Sequence, residues 1–231
     1  MFTSILFDKD GCLLDFDKTW GAWACEFLSV ISEGDAELTH RLAARIGFDF
    51  ERGTFDPESP IIAGTPDEGV TLLSPLLPNW EFEDLLAFSN ESAARAILQP
   101  VVPLAPLLME LGDRGIKLGI ATNDSEATAR AHMESLKVAA YFDLILGSDS
   151  GYGSKPDHGM QSAFLNGFDL EAKHGIMVGD SLHDLQSGRA AGMVCVGVLT
   201  GPANRSDLEP AADVVLPDIS HLPAWMADHE A

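Results

Sequence analysis

Positive charge is what this chain has least of: 14 Lys and Arg stand against 36 Asp and Glu, for a formal net charge of −22. So acidic a surface repels nucleic acid and anionic membranes, and neither is an expected partner. Cysteine is scarce too. Cys12, Cys25 and Cys195 do not pair evenly and lack metal-ligand spacing, which points to reduced thiols and a cytoplasmic location. No apolar run approaches the roughly 18 residues of a membrane span. The chain enters an apolar segment almost at its first residue, so no signal peptide is expected. Repeats and low-complexity stretches are missing as well. What remains is a globular composition: 231 residues at 46% hydrophobic, enough for a large core with an inserted segment.

Against that background the stretch Thr3 to Leu14 stands out. Its apolar run Ile5-Leu6-Phe7 ends in two acids, Asp8 and Asp10, followed by Gly11. Three later segments repeat the pattern of apolar strand, polar tip and helix. Lys117 to Ala121 leads to Thr122-Asn123, and Tyr141 to Leu146 leads through a Gly/Ser-rich loop to Lys155-Pro156. Gly175 to Val178 leads to Gly179-Asp180-Ser181-Leu182-His183-Asp184. Short, nearly continuous apolar runs suit strands covered on both faces. Right-handed crossovers then place every polar tip at one edge of a parallel sheet. Asp8, Asp10, Thr122, Asn123, Lys155, Asp180 and Asp184 are expected to converge there.

These four motifs, in this order and spacing, resemble the haloacid dehalogenase superfamily of phosphohydrolases over essentially the whole chain. The resemblance implies an α/β fold with a doubly wound, Rossmann-like parallel sheet. Asp8 would be the nucleophile that forms an aspartyl-phosphate. Asp10, on the same strand face, would protonate the leaving alcohol and later deprotonate water. Two anions facing a phosphate need a hard cation, and Mg²⁺ would be bound by Asp8, Asp180 and, by family resemblance, the Asp10 main-chain carbonyl. Lys155, the Thr122 hydroxyl and backbone N–H groups near Gly11 and Asn123 would hold the phosphoryl oxygens. Asp184, one helical turn past Asp180, would orient Lys155 or a metal-bound water.

Two positions depart from the family pattern. Cys12 stands where relatives commonly carry Thr or Ser, in a loop that works mainly through its backbone. Lys9 separates the two acids where many relatives carry an apolar residue. Strand alternation points it away from Asp8 and Asp10, as a charge near the sheet edge or hinge.

Between the first two motifs the pattern changes. Trp20, Trp23, Ala24, Phe27, Leu28 and Ile31 recur at helical spacing, as do Leu38, Leu42, Ala43 and Ile46. Pro57, Pro60, Pro66, Pro75 and Pro78 divide the rest into short pieces. The expected organisation is a catalytic core of residues 1–14 and 100–231, with an all-helical insert at 15–99 hinged near Leu14–Asp17 and Gln99–Pro103. Such an insert resembles the cap of the phosphoglycolate phosphatase and β-phosphoglucomutase branch, which closes over the site and reads the leaving group. Its cations are Lys18, Arg41, Arg45, Arg52 and Arg95. The i, i+4 pair Arg41 and Arg45 could grip a second anionic group, although a solvated face is the simpler reading. Trp20 and Trp23 read as core, and His183 is the histidine expected near the site.

The leading expectation is a Mg²⁺-dependent phosphomonoesterase, phosphoglycolate phosphatase-like, acting on a small phosphorylated metabolite as a monomer or homodimer. The alternatives are a phosphosugar mutase of the β-phosphoglucomutase type and, from another class, a phospho-accepting receiver or binding module. Receivers, however, are about half this length and lack a cap.

Overall fold

The protein is described by a computed structural model of residues 1–229. Its framework is a six-stranded, all-parallel sheet in the order β5-β4-β1-β6-β7-β8. The strands are β1 (Ser4–Phe7), β4 (Lys117–Ala121), β5 (Leu144–Leu146), β6 (Gly175–Gly179), β7 (Val194–Val198) and β8 (Val214–Leu216). Alternation divides each strand between two cores. Ile5, Phe7, Leu118 and Ile120 pack with helices α5 (Leu104–Asp113), α6 (Glu126–Ser135) and α10 (Leu222–His229). On the opposite face Leu6, Ala121 and Met177 meet α7 (Gly159–Gly167). Cys195 and Val215 meet α8 (Leu182–Ala190) and α9 (Arg205–Leu208) there. The short apolar runs therefore became strands because helices cover both sides.

Residues 16–93 build a separate core between β1 and α5. Helices α1 (Phe16–Ile31), α2 (Ala36–Arg45), α3 (Pro66–Leu73) and α4 (Phe82–Ala93) bury Trp20, Phe27, Leu28, Leu42, Val70 and Leu85 against one another. Asp15 caps α1 through the Lys18 N–H. Thr65 and Glu68 form a capping box on α3, with Pro66 in the first turn, where its missing N–H costs nothing. The two chain crossings run side by side: Asp15 N–H donates to Gln99 O at 2.8 Å and Val101 N–H to Leu13 O at 3.1 Å.

Three details differ from expectation. The inserted segment is not all helical: β2 (Phe48–Asp49) and β3 (Thr54–Phe55) form an antiparallel pair. Asp49 builds its turn by accepting the Glu51 and Arg52 N–H groups, and Phe48 and Phe55 are buried on it. Two residues per strand are too few for alternation to register in a sequence. The expected strand from Tyr141 begins only at Leu144, after a 3₁₀ turn at Ala139–Tyr141. Near the C-terminus, where the sequence pattern offers Ser220 as the cap of a final helix running through Trp225, it is Asp218 that caps the turn leading into α10; its carboxylate accepts the Ser220 N–H at 2.8 Å.

Candidate active site

Three adjacent strands deliver the polar tips to one edge. Phe7 lies beside Ile120 of β4 and Val178 of β6, so Asp8, Thr122 and Asp180 emerge as neighbours one or two residues later. Asp8 is anchored by its own N–H, which donates to Val178 O at 2.8 Å. Lys155 arrives on the loop after β5 and is fastened by Asn123. The Asn123 Oδ1 accepts the Lys155 N–H at 2.8 Å, while its Nδ2 donates to Lys155 O at 3.0 Å and to Ala63 O of the insert at 2.8 Å. The Asn123 side chain is thus a brace between loop, strand and insert.

The Lys155 ammonium bridges two carboxylates, with Nζ 2.5 Å from Asp8 Oδ1 and 2.6 Å from Asp184 Oδ1. Burial opposes its charge, yet Asp184 and Asp8 hold its pKa above the ordinary lysine value. The other Asp184 oxygen accepts from Ser181 Oγ at 2.6 Å and Ser181 N at 3.1 Å, closing the capping box that starts α8. Both oxygens of Asp184 are thereby committed to positioning.

Asp8, Asp180 and Asp184 are all buried, and an oxygen from each lies within 4.8 Å of the others. Three carboxylates against one ammonium leave two formal negative charges. Burial pushes the Asp8 carboxyl up to about 7, with Asp184 and Asp10 adding repulsion against the pull of Lys155. Burial, with Asp184 and Asp8, lifts Asp180 well above the usual carboxylate range. Such a group of hard oxygen donors, short of positive charge, suits a divalent cation such as Mg²⁺. Gly11 and Gly201 enclose Asp180 so tightly that a Cβ on either would land on its carboxylate. Gly11 adopts φ +81°, a left-handed turn conformation that favours glycine. Its N–H donates to Leu14 O at 2.7 Å, which closes the turn after β1.

Lys9 is the main correction. Alternation was expected to point it away from both Asp8 and Asp10 as a charge near the sheet edge, but β1 ends at Phe7, and the Lys9 side chain is 0% exposed and turns onto Asp10. Its Nζ lies 2.7 Å from Asp10 Oδ2, 3.0 Å from Asp124 Oδ2 and 3.2 Å from His132 Nδ1, and 5.0 Å from the centre of the Trp20 ring. Burial works against its charge, but Asp10 and Asp124 raise its pKa overall. His132 Nε2 lies 2.8 Å from Ala93 O, so the imidazole donates there and accepts from Lys9. Burial and the Lys9 charge lower its pKa to about 4. Sequence reasoning passed over Asp124 and His132 because nothing local marks them; the fold brings α6 beneath β1. Trp20 belongs to the insert's core as expected, and its Nε1 also donates to Asp10 Oδ1 at 2.8 Å. Cys12 is buried and its thiol held well above its ordinary pKa, first by burial and then by Asp8 and Asp180, which makes it a poor redox sensor.

Above Asp8, a cavity of about 120 Å³ lies between the sheet edge and the insert, reached by Asp10, Thr122, Asn123, Lys155, Asp180, His183 and Asp184. The insert's cations stay outside. Arg45 donates to Leu72 O, Arg52 pairs with Asp49 and Lys18 with Asp15, and Arg41 and Arg95 are exposed.

The sequence matches the family described as haloacid dehalogenase-like hydrolase over residues 66–198. The chain belongs to that family. The matched stretch of this haloacid dehalogenase-like hydrolase contains Thr122, Lys155, Asp180 and Asp184, while Asp8 and Asp10 precede it on β1. A phosphoglycolate phosphatase from Rhodospirillum rubrum is 35% identical over 120 residues, which is 52% of this chain and 50% of that protein. The chain thus spans about half the length of that relative. Probable phosphatase IndB from Dickeya dadantii is 28% identical over 225 residues, covering 93% of this chain and 88% of the relative. Among solved structures, a predicted phosphoglycolate phosphatase from Haemophilus somnus superimposes with a TM-score of 0.73 at 18% identity, covering 97% of this chain and 98% of the other. At that identity the likeness is one of fold.

Proposed function

We propose that this chain is a Mg²⁺-dependent phosphomonoester hydrolase of the phosphoglycolate phosphatase type, working through an aspartyl-phosphate on Asp8. The observation that supports it most is the Asp8 carboxylate at the end of the central strand, held by Lys155 beneath a cavity with a second carboxylate, Asp10, alongside. In the first step an Asp8 oxygen attacks phosphorus in line and the bond to the ester oxygen breaks, while Asp10 gives that oxygen a proton. In the second, Asp10 takes a proton from water, whose oxygen displaces Asp8 and releases inorganic phosphate. Lys155 and the Thr122 hydroxyl hold the phosphoryl oxygens throughout. Bound Mg²⁺, held by Asp8, Asp180 and the Asp10 carbonyl, would neutralise charge building on those oxygens.

Residues 15–99 act in this reading as a cap over the core of residues 1–14 and 100–231. Trp20 on Asp10, Ala63 on Asn123 and Ala93 on His132 are the contacts that would seat it. Seated this way, the cap keeps bulk water from the acyl phosphate until the alcohol has left. A mutase would have to hold a phosphosugar rich in hydroxyls in the same space, and the aromatic wall offers few partners for them. No helix among the described residues is long and apolar enough to cross a membrane. The three cysteines stay free, which supports a cytoplasmic enzyme. The decisive assay is release of inorganic phosphate from p-nitrophenyl phosphate with Mg²⁺, abolished by EDTA and restored by added Mg²⁺. Undiminished activity after exhaustive EDTA dialysis would overturn the metal assignment.

A further inference from the structure

The cavity over Asp8 is built from two unlike halves. Its floor is the acidic edge of the sheet, with Asp8, Asp10, Asp180 and Asp184. Its wall and roof come from the insert and are aromatic and aliphatic, with Phe16, Trp20, Phe27, Phe55, Ile61 and Val70. Among the described residues, one of the 14 Lys and Arg lines this space, Lys155, and its ammonium is already shared by Asp8 and Asp184. All five cations of the insert are exposed, and none lines the cavity.

From this distribution of charge we infer that the substrate is the phosphate monoester of a small uncharged alcohol with an apolar body and no second anionic group. The inference rests on the phosphomonoesterase reading above and narrows it: the likeness to phosphoglycolate phosphatases then extends to the hydrolytic chemistry and not to phosphoglycolate as substrate. A carboxylate or second phosphate on that group would lose its water between aromatic walls, meet no cation, and face the acidic floor. Burying an ion unpaired is far costlier than burying a methylene is favourable. An alkyl or aryl body gains from the same walls. The room is limited, since about 120 Å³ is near the ~150 Å³ of an engineered apolar cavity that takes up benzene.

The test is a set of kcat/KM values with Mg²⁺ for n-butyl phosphate, 4-hydroxybutyl phosphate, 2-phosphoglycolate and butane-1,4-diol bisphosphate, with p-nitrophenyl phosphate as reference. Both uncharged leaving groups should exceed both anionic ones by about 100-fold or more, as expected for an unpaired buried ion. Ile62→Lys, which adds a cation to the lining, should narrow the gap to 2-phosphoglycolate by improving that substrate. Turnover of 2-phosphoglycolate or the bisphosphate equal to or faster than that of the neutral esters overturns the inference and leaves the hydrolase reading standing. No turnover of any ester, p-nitrophenyl phosphate included, refutes the hydrolase reading itself.

Discussion

Replacing Lys9 by Met tests how the site is supported from beneath. The substitution keeps most of the side-chain volume and removes one charge, from an ammonium with no solvent exposure. Two carboxylates then lose their counter-ion: Asp10, 2.7 Å away and 15% exposed, and Asp124, 3.0 Å away and 9% exposed. Asp124 already titrates above the usual carboxylate range because of burial, with Lys9 holding it down, so it is the group stranded most completely. Breaking a buried pair by removing one partner costs about 3–5 kcal/mol. In a chain of this length each kcal/mol lowers Tm by ~2–4 °C, so Lys9→Met should melt roughly 6–20 °C below wild type. Adding Asp124→Asn should return part of that loss, because the second change removes the stranded charge. Lys173 is a useful contrast: it sits 2.7 Å from Glu171, but both side chains are about 70% exposed. Water screens that pair, and Lys173→Met should leave Tm unchanged. The measurement is thermal unfolding by circular dichroism at pH 7 for all four proteins. A Lys9→Met variant that melts within a degree of wild type would refute the claim that this ammonium supports Asp10 and Asp124.

The remaining predictions concern chemistry and pH. Asp8→Asn should reduce turnover of p-nitrophenyl phosphate at least ~1,000-fold while the far-ultraviolet spectrum stays native; retention of more than about a tenth of the activity would remove Asp8 as nucleophile. Asp10→Asn should cost alkyl phosphates more than p-nitrophenyl phosphate, whose leaving group needs little protonation. Equal losses would restrict Asp10 to shaping the site. Asp180→Ala should weaken Mg²⁺ binding more than Asp184→Ala, measured by calorimetry, because both Asp184 oxygens are engaged with Lys155 and Ser181. His132 titrates near 4 when folded against 6.5 for the free side chain, so the unfolded chain binds its proton first. Its contribution to stability is complete above pH 6.5 and declines as the pH falls toward 4, by about 3 kcal/mol in all. Denaturant titrations at pH 7 and pH 4.5 should therefore show a smaller acid-induced loss in His132→Gln than in wild type, and equal losses would exclude this role.

Much of the catalytic edge is legible in the sequence for a topological reason. Parallel strands joined by right-handed crossovers bring their C-terminal tips together whatever lies between them. Apolar runs ending at Asp8, Thr122 and Asp180 were therefore enough to expect these residues as neighbours. The insert's helices were legible through their 3.6-residue periodicity, since one face of each had to be apolar to be buried. The β2–β3 pair was not, because four residues cannot display a period. Nor does the sequence show what a side chain meets across the fold. Alternation would send Lys9 away from both Asp8 and Asp10, and only the tertiary structure, which brings Trp20 of α1 and His132 of α6 onto it, seals it in a cluster with Asp10, Asp124, His132 and Trp20. Arg41 and Arg45 satisfy a helical spacing that would suit an anion, and the docking of α2 leaves both in solvent. Periodicity reports which face of an element is buried; which partner covers that face depends on contacts between residues more than a hundred positions apart, such as Lys9 with His132. The position of Asp8 at the strand end was thus determined locally by the sequence, while the ion pairs around Lys9 and the apolar roof over the cavity came from tertiary structure.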